Sequence, residues 1–372
     1  MKILYFIGTL CTGGKERRLI ELMSGLKGNT DIEILLILAF NQIDYEYFYN
    51  LNIDYVSIDK RPNKKSIKVF FQLDKIIKNF KPDIIHTWGS MQTFYMLPSS
   101  ILRKIPLINS QITNAPLIGT KRSLFQRFIN NINLRTSTIN LANSYAGLKS
   151  YSIENNKNSR VIHNGFNMNR IKLLEDSSKI RKQLNIKTKY VVCMVGAFSD
   201  RKDYETYLTV AEKIIKNRND ISFLGIGSGY LLEKYRKEYE RFKRIILPGR
   251  MSDVESIINV SDICVLMTSG NVHGEGISNS IMEYMALGKP IVASDSGGTS
   301  EIVQNNKTGF IIPDKSYDEL KTKIHYLLSN KKLRDEMGNL GKKRISDRFN
   351  IDLMLFSFLD LYNDVRKSIR NM

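Results

Sequence analysis

The chain is poor in cysteine. Three occur in 372 residues, Cys11, Cys193 and Cys264, odd in number and far apart. A disulfide framework is excluded, and the apolar runs around Cys193 and Cys264 read as strands holding buried thiols. The four histidines, His86, His163, His273 and His325, do not cluster at ligand spacings. No run approaches the roughly 18 consecutive apolar residues that cross a bilayer. The first residues, Met1 to Gly8, are apolar but lead directly into Gly13-Gly14 and charged positions. That stretch is too short for a secretory leader, lacks a small-residue cleavage site, and reads as a buried first strand. The expected location is the cytoplasm. Also missing are low-complexity linkers, tandem repeats, G-x-x-x-x-G-K-[ST], G-x-S-x-G and Asp-x-Asp.

Acid is scarce relative to base: 37 Asp+Glu against 56 Lys+Arg, a formal charge of +19. Residues 1–170 hold 23 basic and 11 acidic residues, so the excess favours the first half. It includes Lys60, Arg61, Lys64, Lys65 and Lys68, then Lys75, Lys78 and Lys81. Such a surface suits an anionic membrane, an anionic acceptor or nucleic acid, or it is simply solvated. No recognition helix or aromatic–basic motif supports nucleic acid, which remains a remote alternative.

What is present is a repeated unit, a short Ile/Val-rich run followed by an amphipathic stretch. The runs in the first half are Ile3–Ile7, Ile32–Ala39, Ile84–His86, Pro106–Ile108, Ile139–Ala142 and Val161–Ile162. Those in the second half are Val191–Val195, Ile221–Ile226, Ile245–Leu247, Ile263–Met267, Ile291–Ala293 and Phe310–Ile312. They do not alternate, as expected of parallel strands buried on both faces. Helices are predicted at Lys15–Leu26, Tyr204–Ile215 and Ser280–Leu287, with a polar helical pattern over Arg170–Leu184. A closing helix is predicted within Phe349–Lys367, with Leu353, Phe356, Leu359 and Tyr362 on one face. The fold class is α/β, two doubly wound domains of 1–166 and 167–349, with the segment from about 350 to 372 crossing back to the first.

Three strand ends offer groups for a sugar or a phosphate. Gly13 and Gly14 follow the first strand and open the first helix, where backbone can approach a ligand closely. Gly196 follows Val191–Val195 and leads to Arg201 and Lys202, cations placed to neutralise a leaving diphosphate. The third is Gly274-Glu275-Gly276-Ile277-Ser278-Asn279-Ser280-Ile281-Met282-Glu283. A helix is expected to start near Ser278, which favours anions. Glu283 would point back toward that start, suited to a ribose, and Glu275 lies in the turn. Each also reads, taken singly, as an ordinary turn or surface charge. Gly225-Ile226-Gly227-Ser228-Gly229-Tyr230 has tyrosine where a dinucleotide fingerprint needs glycine.

Together these residues resemble glycosyltransferase family 4, retaining enzymes of the GT-B fold that include bacterial polysaccharide and lipopolysaccharide sugar transferases. The resemblance is strongest from Val191 to Pro313. It runs through Gly196 and Lys202, Gly227-Ser228-Gly229, Leu247-Pro248-Gly249-Arg250 and the Glu275-to-Ala286 stretch. It continues in Gly288-Lys289-Pro290, Gly297-Gly298, Glu301-Ile302-Val303 and Thr308-Gly309-Phe310. In the first half it rests on Gly13-Gly14, Pro82 to His86, Ala142-Asn143-Ser144 and Asn164-Gly165.

The resemblance implies two Rossmann-like domains facing across a cleft, a nucleotide-sugar donor on the second and an acceptor on the first. Glu283 would bind the ribose hydroxyls and Glu275 would face the donor sugar. Gly276, Ile277 and Ser278 would cradle phosphate, Lys202 would bind the diphosphate, and Gly13 and Gly14 would close on the donor. Transfer would need no metal or other cofactor. The acceptor would be a saccharide or lipid-linked, met by a protein peripheral on the inner face of the cell membrane. Two departures stand out. Ala197 occupies a position that is often arginine, for which Arg201 is a candidate substitute. Asn109 to Asn114 lacks a histidine many members carry, leaving His86, Trp88 and Asn114 as acceptor-side candidates. A nucleotide-sugar epimerase of the same fold is the alternative.

Overall fold

The computed structural model describes residues 1–11, 13–58, 67–110, 121–269 and 276–370. They form two units, Met1–Gly165 with Ile351–Met372, and Phe166–Asn350. The first contains β1 (Lys2–Ile7), α1 (Gly14–Lys27), β2 (Glu33–Leu38), β3 (Asp54–Ser57), α2 (Lys68–Phe80) and β4 (Ile84–Trp88). It continues with α3 (Ser90–Arg103), β5 (Leu107–Ser110), α4 (Lys121–Thr136), β6 (Ile139–Ala142), α5 (Tyr145–Ser150) and β7 (Ser159–Val161). The second unit opens with a 3-10 turn, Met168–Ile171, and α6 (Ser177–Gln183). Then come β8 (Tyr190–Val195), α7 (Tyr204–Ile215), β9 (Ile221–Ile226), α8 (Leu232–Glu238), β10 (Ile245–Gly249), α9 (Val254–Asn259) and β11 (Ile263–Leu266). It ends with α10 (Asn279–Ala286), β12 (Ile291–Ser294), α11 (Thr299–Ile302), β13 (Gly309–Ile312), α12 (Tyr317–Ser329) and α13 (Lys331–Arg348). The last helix, α14 (Ile351–Arg370), belongs to the first unit.

Among the described residues each unit has one sheet, ordered β3-β2-β1-β4-β5-β6-β7 and β10-β9-β8-β11-β12-β13. Every strand pair within them is parallel. The chain order reverses between β1 and β4 in one sheet and between β8 and β11 in the other, which is where such sheets bind ligands beyond their strand ends.

The strands form because apolar β-branched side chains are buried on both faces. In β1, Ile3, Tyr5 and Ile7 pack with Leu19, Leu22 and Met23 of α1 and Phe358 and Tyr362 of α14. Leu4 and Phe6 point the other way, against Val69 and Leu73 of α2 and Tyr95 and Met96 of α3. The first unit is therefore a sheet with α1 and α14 on one face and α2, α3 and α4 on the other. Each fully buried side chain of this kind contributes roughly 1.5–3 kcal/mol.

Three elements differ from the sequence reading. β3 has no apolar run, because it is an edge strand with exposed side chains. The Arg170–Leu184 pattern breaks into the 3-10 turn and α6, where the Asp176 carboxylate accepts from the N–H of Ser178 at 2.8 Å and starts a new helix. In α14 the buried stripe is Met354, Phe358, Leu361, Tyr362 and Val365, while Leu353 and Phe356 are exposed. No described helix is long and apolar enough to cross a membrane.

Candidate functional site

At the β8/β11 switch point of the second unit, side-chain-to-backbone hydrogen bonds tie the end of β8 to α10. The Val195 N–H, at the end of β8, donates to the Tyr284 hydroxyl at 2.7 Å, and its carbonyl accepts from Ser280 Oγ at 3.0 Å. The start of α10 is thus fastened to the carboxyl edge of β8. Ser278 is its N-cap residue, and its first turn carries no acid. The positive end of the helix dipole favours an anion there. Ile277 and Ser278 are buried, while Gly276 is partly accessible.

Gly196 is the next residue along. A Cβ on it would lie 3.2 Å from Cγ of Lys202, so the glycine is what allows the lysine stem to lie across it. Lys202 also forms an isolated bridge with Thr268, just past β11. The lysine therefore spans the two strands at which the sheet order reverses. Arg201 is exposed, and its carbonyl accepts from the Ser269 N–H at 3.1 Å. Arg201, Lys202, Gly196 and the start of α10 consequently share one strand edge.

The Gly227-Ser228-Gly229 turn has a structural reason. Gly227 has φ +148°, and a Cβ on it would stand 1.9 Å from the Gly196 carbonyl oxygen. Gly229 approaches Phe198 in the same way. Backbone packs on backbone here and supports the loop that carries Lys202. Gly227→Ala is expected to cost ~3 kcal/mol or more through strain and displacement of that loop. The melting temperature should then fall by roughly 6 °C or more in thermal unfolding.

Glu283 is 4% exposed and sits mid-helix in α10. Its Oε1 accepts from Nη2 of Arg170 at 2.8 Å. The same nitrogen bonds Oε1 of Glu255 in α9, and the guanidinium lies 4.9 Å over the Phe166 ring. One cation between two carboxylates holds the Glu283 side chain in a single orientation. Sequence reasoning missed both partners. Arg170 is 113 positions from Glu283 and lies in a 3-10 turn without periodicity. The signal available was the pair of apolar neighbours, Met282 and Met285, which marks Glu283 as an acid needing a buried partner.

In the first unit, Gly13 precedes α1 in extended conformation and is held by the Tyr45 hydroxyl, which donates to its carbonyl at 3.0 Å. Gly14 is the first residue of that helix. The acceptor-side reading of His86 and Trp88 is corrected. Both are fully buried on the central strand β4, beneath α14. His86 Nδ1 pairs with the Tyr362 hydroxyl at 2.8 Å, and that hydroxyl lies 2.9 Å from the one on Tyr5. Arg18 is buried beside them, its guanidinium 5.5 Å from the Trp88 ring and 5.1 Å from the Phe358 ring and donating to the Ile162 carbonyl at 2.6 Å. Burial pushes Arg18 down to about 9. Burial, and then the Arg18 charge, hold His86 well below its ordinary range, so it is neutral.

An open site in this unit lies elsewhere. A cavity of about 360 Å³ is lined by Phe40, Met91, Gln92, Tyr95 and Gln126 among others. It adjoins the first turns of α3 and α4. Gln126 Nε2 donates to Ser90 Oγ at 2.7 Å and to Asn130 Oδ1 at 3.0 Å. Glu275 and Asn114 lie outside the described residues.

Two units, each built on one parallel sheet, are the architecture of the GT-B fold. Solved structures agree on the fold. Anabaena Alr3699/HepE in complex with UDP and glucose matches with a TM-score of 0.83 at 20% identity, over 98% of this chain and 99% of that one. Residues 176–344 match the family described as glycosyl transferases group 1. The match falls within the second unit, Phe166–Asn350. The chain is 27% identical over 209 residues to an uncharacterized glycosyltransferase of Methanocaldococcus jannaschii, a match covering 55% of this chain and 53% of the relative. It therefore spans about half the length of that relative. It is also 24% identical to the Escherichia coli UDP-Gal:alpha-D-GlcNAc-diphosphoundecaprenol alpha-1,3-galactosyltransferase, over 81% of this chain and 80% of that one.

Proposed function

We propose that the protein moves a sugar from a nucleotide-diphosphate-sugar to a saccharide or lipid-linked acceptor in bacterial-type polysaccharide assembly, with retention at the anomeric carbon. The observation that carries this reading is the convergence at the β8/β11 edge of Lys202, the acid-free start of α10 and the oriented carboxylate of Glu283. In the reaction the bond from the anomeric carbon to the β-phosphate oxygen breaks and the acceptor oxygen bonds that carbon. The acceptor proton passes to the departing phosphate oxygen. Lys202, with Arg201 beside it, stabilises the charge that grows on the diphosphate. Gly276, Ile277 and Ser278 bring backbone and the helix start to the phosphates. Glu283 binds the ribose hydroxyls, and Glu275 faces the sugar. Gly13 and Gly14 meet the donor from the start of α1. The cavity beside Gln92 and Gln126 receives the acceptor. These cationic groups fit transfer without a metal.

The test has two stages. Uridine and guanosine diphosphates and their sugars are screened for thermal stabilisation, and the stabilising donor is then incubated with diphospho-lipid-linked saccharides, with and without chelator. Stabilisation by at least one diphosphate and chelator-insensitive product are expected. The reading fails if no nucleotide diphosphate shifts the melting temperature. Donor that isomerises without acceptor would instead make this an epimerase.

A further inference from the structure

Among the described residues, a buried cation of the first unit has no acid paired with it. Arg18, on α1, is 2% exposed. Its Nη2 donates to the Ile162 carbonyl at 2.6 Å, while Nε and Nη1 have no hydrogen-bond partner. Two further nitrogens close by are also buried and unpartnered, Nε2 of His86 and Nε1 of Trp88. Both belong to β4, on side chains with no exposure. The three groups are neighbours. The guanidinium lies 5.5 Å from the Trp88 ring, and the His86 and Trp88 rings are 5.1 Å apart. Phe358 and Tyr362 of α14 pack against the same rings. The hydroxyls in this cluster do not supply the missing charge. Burial holds the Tyr5 and Tyr362 phenols well above their ordinary range, so both are neutral. A buried charge is ordinarily paired, and a buried N–H ordinarily has an acceptor.

We infer that Arg18, His86 and Trp88 form a binding site for one anion of the halide class, enclosed by α1, β4 and α14. Every unpartnered nitrogen there is able to donate. Arg18 and Trp88 do so by nature. His86 does so when Tyr362 donates to Nδ1 and the ring proton sits on Nε2. One guanidinium matches one negative charge, whereas a dianion such as sulfate would leave buried charge uncancelled. Burial of all three side chains suits a monatomic ion and not an anion with an organic tail. Water would satisfy the N–H groups but not the charge. The site lies wholly in the first unit, so it stands independently of the donor site in the second.

Trp88 is the chain's one tryptophan, so its emission reports on this site directly. The full chain is titrated with bromide and with iodide, gluconate holding the ionic strength constant. Saturable quenching is expected, because a heavy halide held beside the indole acts from a defined position. A buried indole without a site would give only weak quenching that rises linearly. Arg18→Met should raise the half-saturating halide concentration by about tenfold or more, the worth of a charged hydrogen bond. Arg18→Lys, which keeps the charge without the fork, should fall between the two. Chloride in place of gluconate should raise the melting temperature of the wild type and leave that of Arg18→Met unchanged. Methionine replaces an unpaired buried cation by an apolar side chain, so the variant should fold. Three results would overturn the proposal: linear quenching equal in wild type and Arg18→Met, the same chloride response in both, or crystals soaked in bromide that show only water beside Trp88 Nε1.

Discussion

Lys202→Met lowers the turnover of sugar transfer by roughly 10²–10³-fold, the loss typical when one group aimed at developing charge is removed (about 2.7–4 kcal/mol). The effect should fall mainly on kcat. A nucleotide diphosphate already carries charge in the ground state, but charge on the departing oxygen grows only as the sugar bond breaks, so the cation contributes more in the transition state. Methionine is the informative replacement because its unbranched stem still lies across Gly196, where a Cβ would come within 3.2 Å of Cγ of the lysine. The loop anchored by Gly227 and by Tyr204, whose hydroxyl lies 3.0 Å from the Gly196 carbonyl, should hold its shape. Steady-state kinetics with saturating acceptor measure both constants. A kcat within threefold of wild type would remove Lys202 from the chemistry.

Glu283→Gln weakens nucleotide diphosphate binding by roughly ten- to hundredfold, the worth of a charged hydrogen bond to a ribose hydroxyl (about 1.5–3 kcal/mol). Folding stability should hardly change. The glutamine oxygen can still accept from Arg170, and Glu255 keeps the guanidinium neutralised. Arg170→Met supplies the contrast. It leaves two carboxylates in a poorly solvated place without the cation between them, at a cost of ~3–5 kcal/mol. Calorimetric titration with UDP and thermal unfolding separate the two cases. Equal UDP affinity in wild type and Glu283→Gln would show that the carboxylate serves structure alone. A deoxyribose nucleotide lacking the 2′-hydroxyl should bind the wild type more weakly and discriminate less in the variant.

The nine inner strands were legible because a parallel strand buried on both faces has to be continuously apolar, and the edge strands β7, β10 and β13 because they too lie on apolar runs. β3 escaped because an edge strand with exposed side chains need not be. On α14 the helix was legible but its buried face was offset, since Leu353 and Phe356 fit the period equally well while Met354 and Phe358 do the packing. The strand-edge positions of Gly196 and Lys202 were legible because both follow closely on the buried run Val191–Val195. Arg170 and Glu255 were not, since their contact with Glu283 joins three distant segments through side chains. His86 looked like a residue at an open strand end. Only the return of α14 across that face, with Tyr362 reaching Nδ1, shows why it is closed.

That return also bears on the order in which the chain acquires structure during synthesis. The second unit is continuous in sequence, and it is stitched shut where it begins and ends. The Phe166 N–H donates to the Phe349 carbonyl at 2.7 Å, and Phe166 bridges Asn350. The first unit is interrupted. Its core needs Phe358 and Tyr362, which leave the ribosome after the whole second unit. The amino-terminal sheet is made first and completed last, with Arg18, His86 and Trp88 lacking their cover until α14 arrives. A stalled or truncated product should therefore contain a folded 166–350 region attached to a sticky, protease-sensitive amino-terminal half.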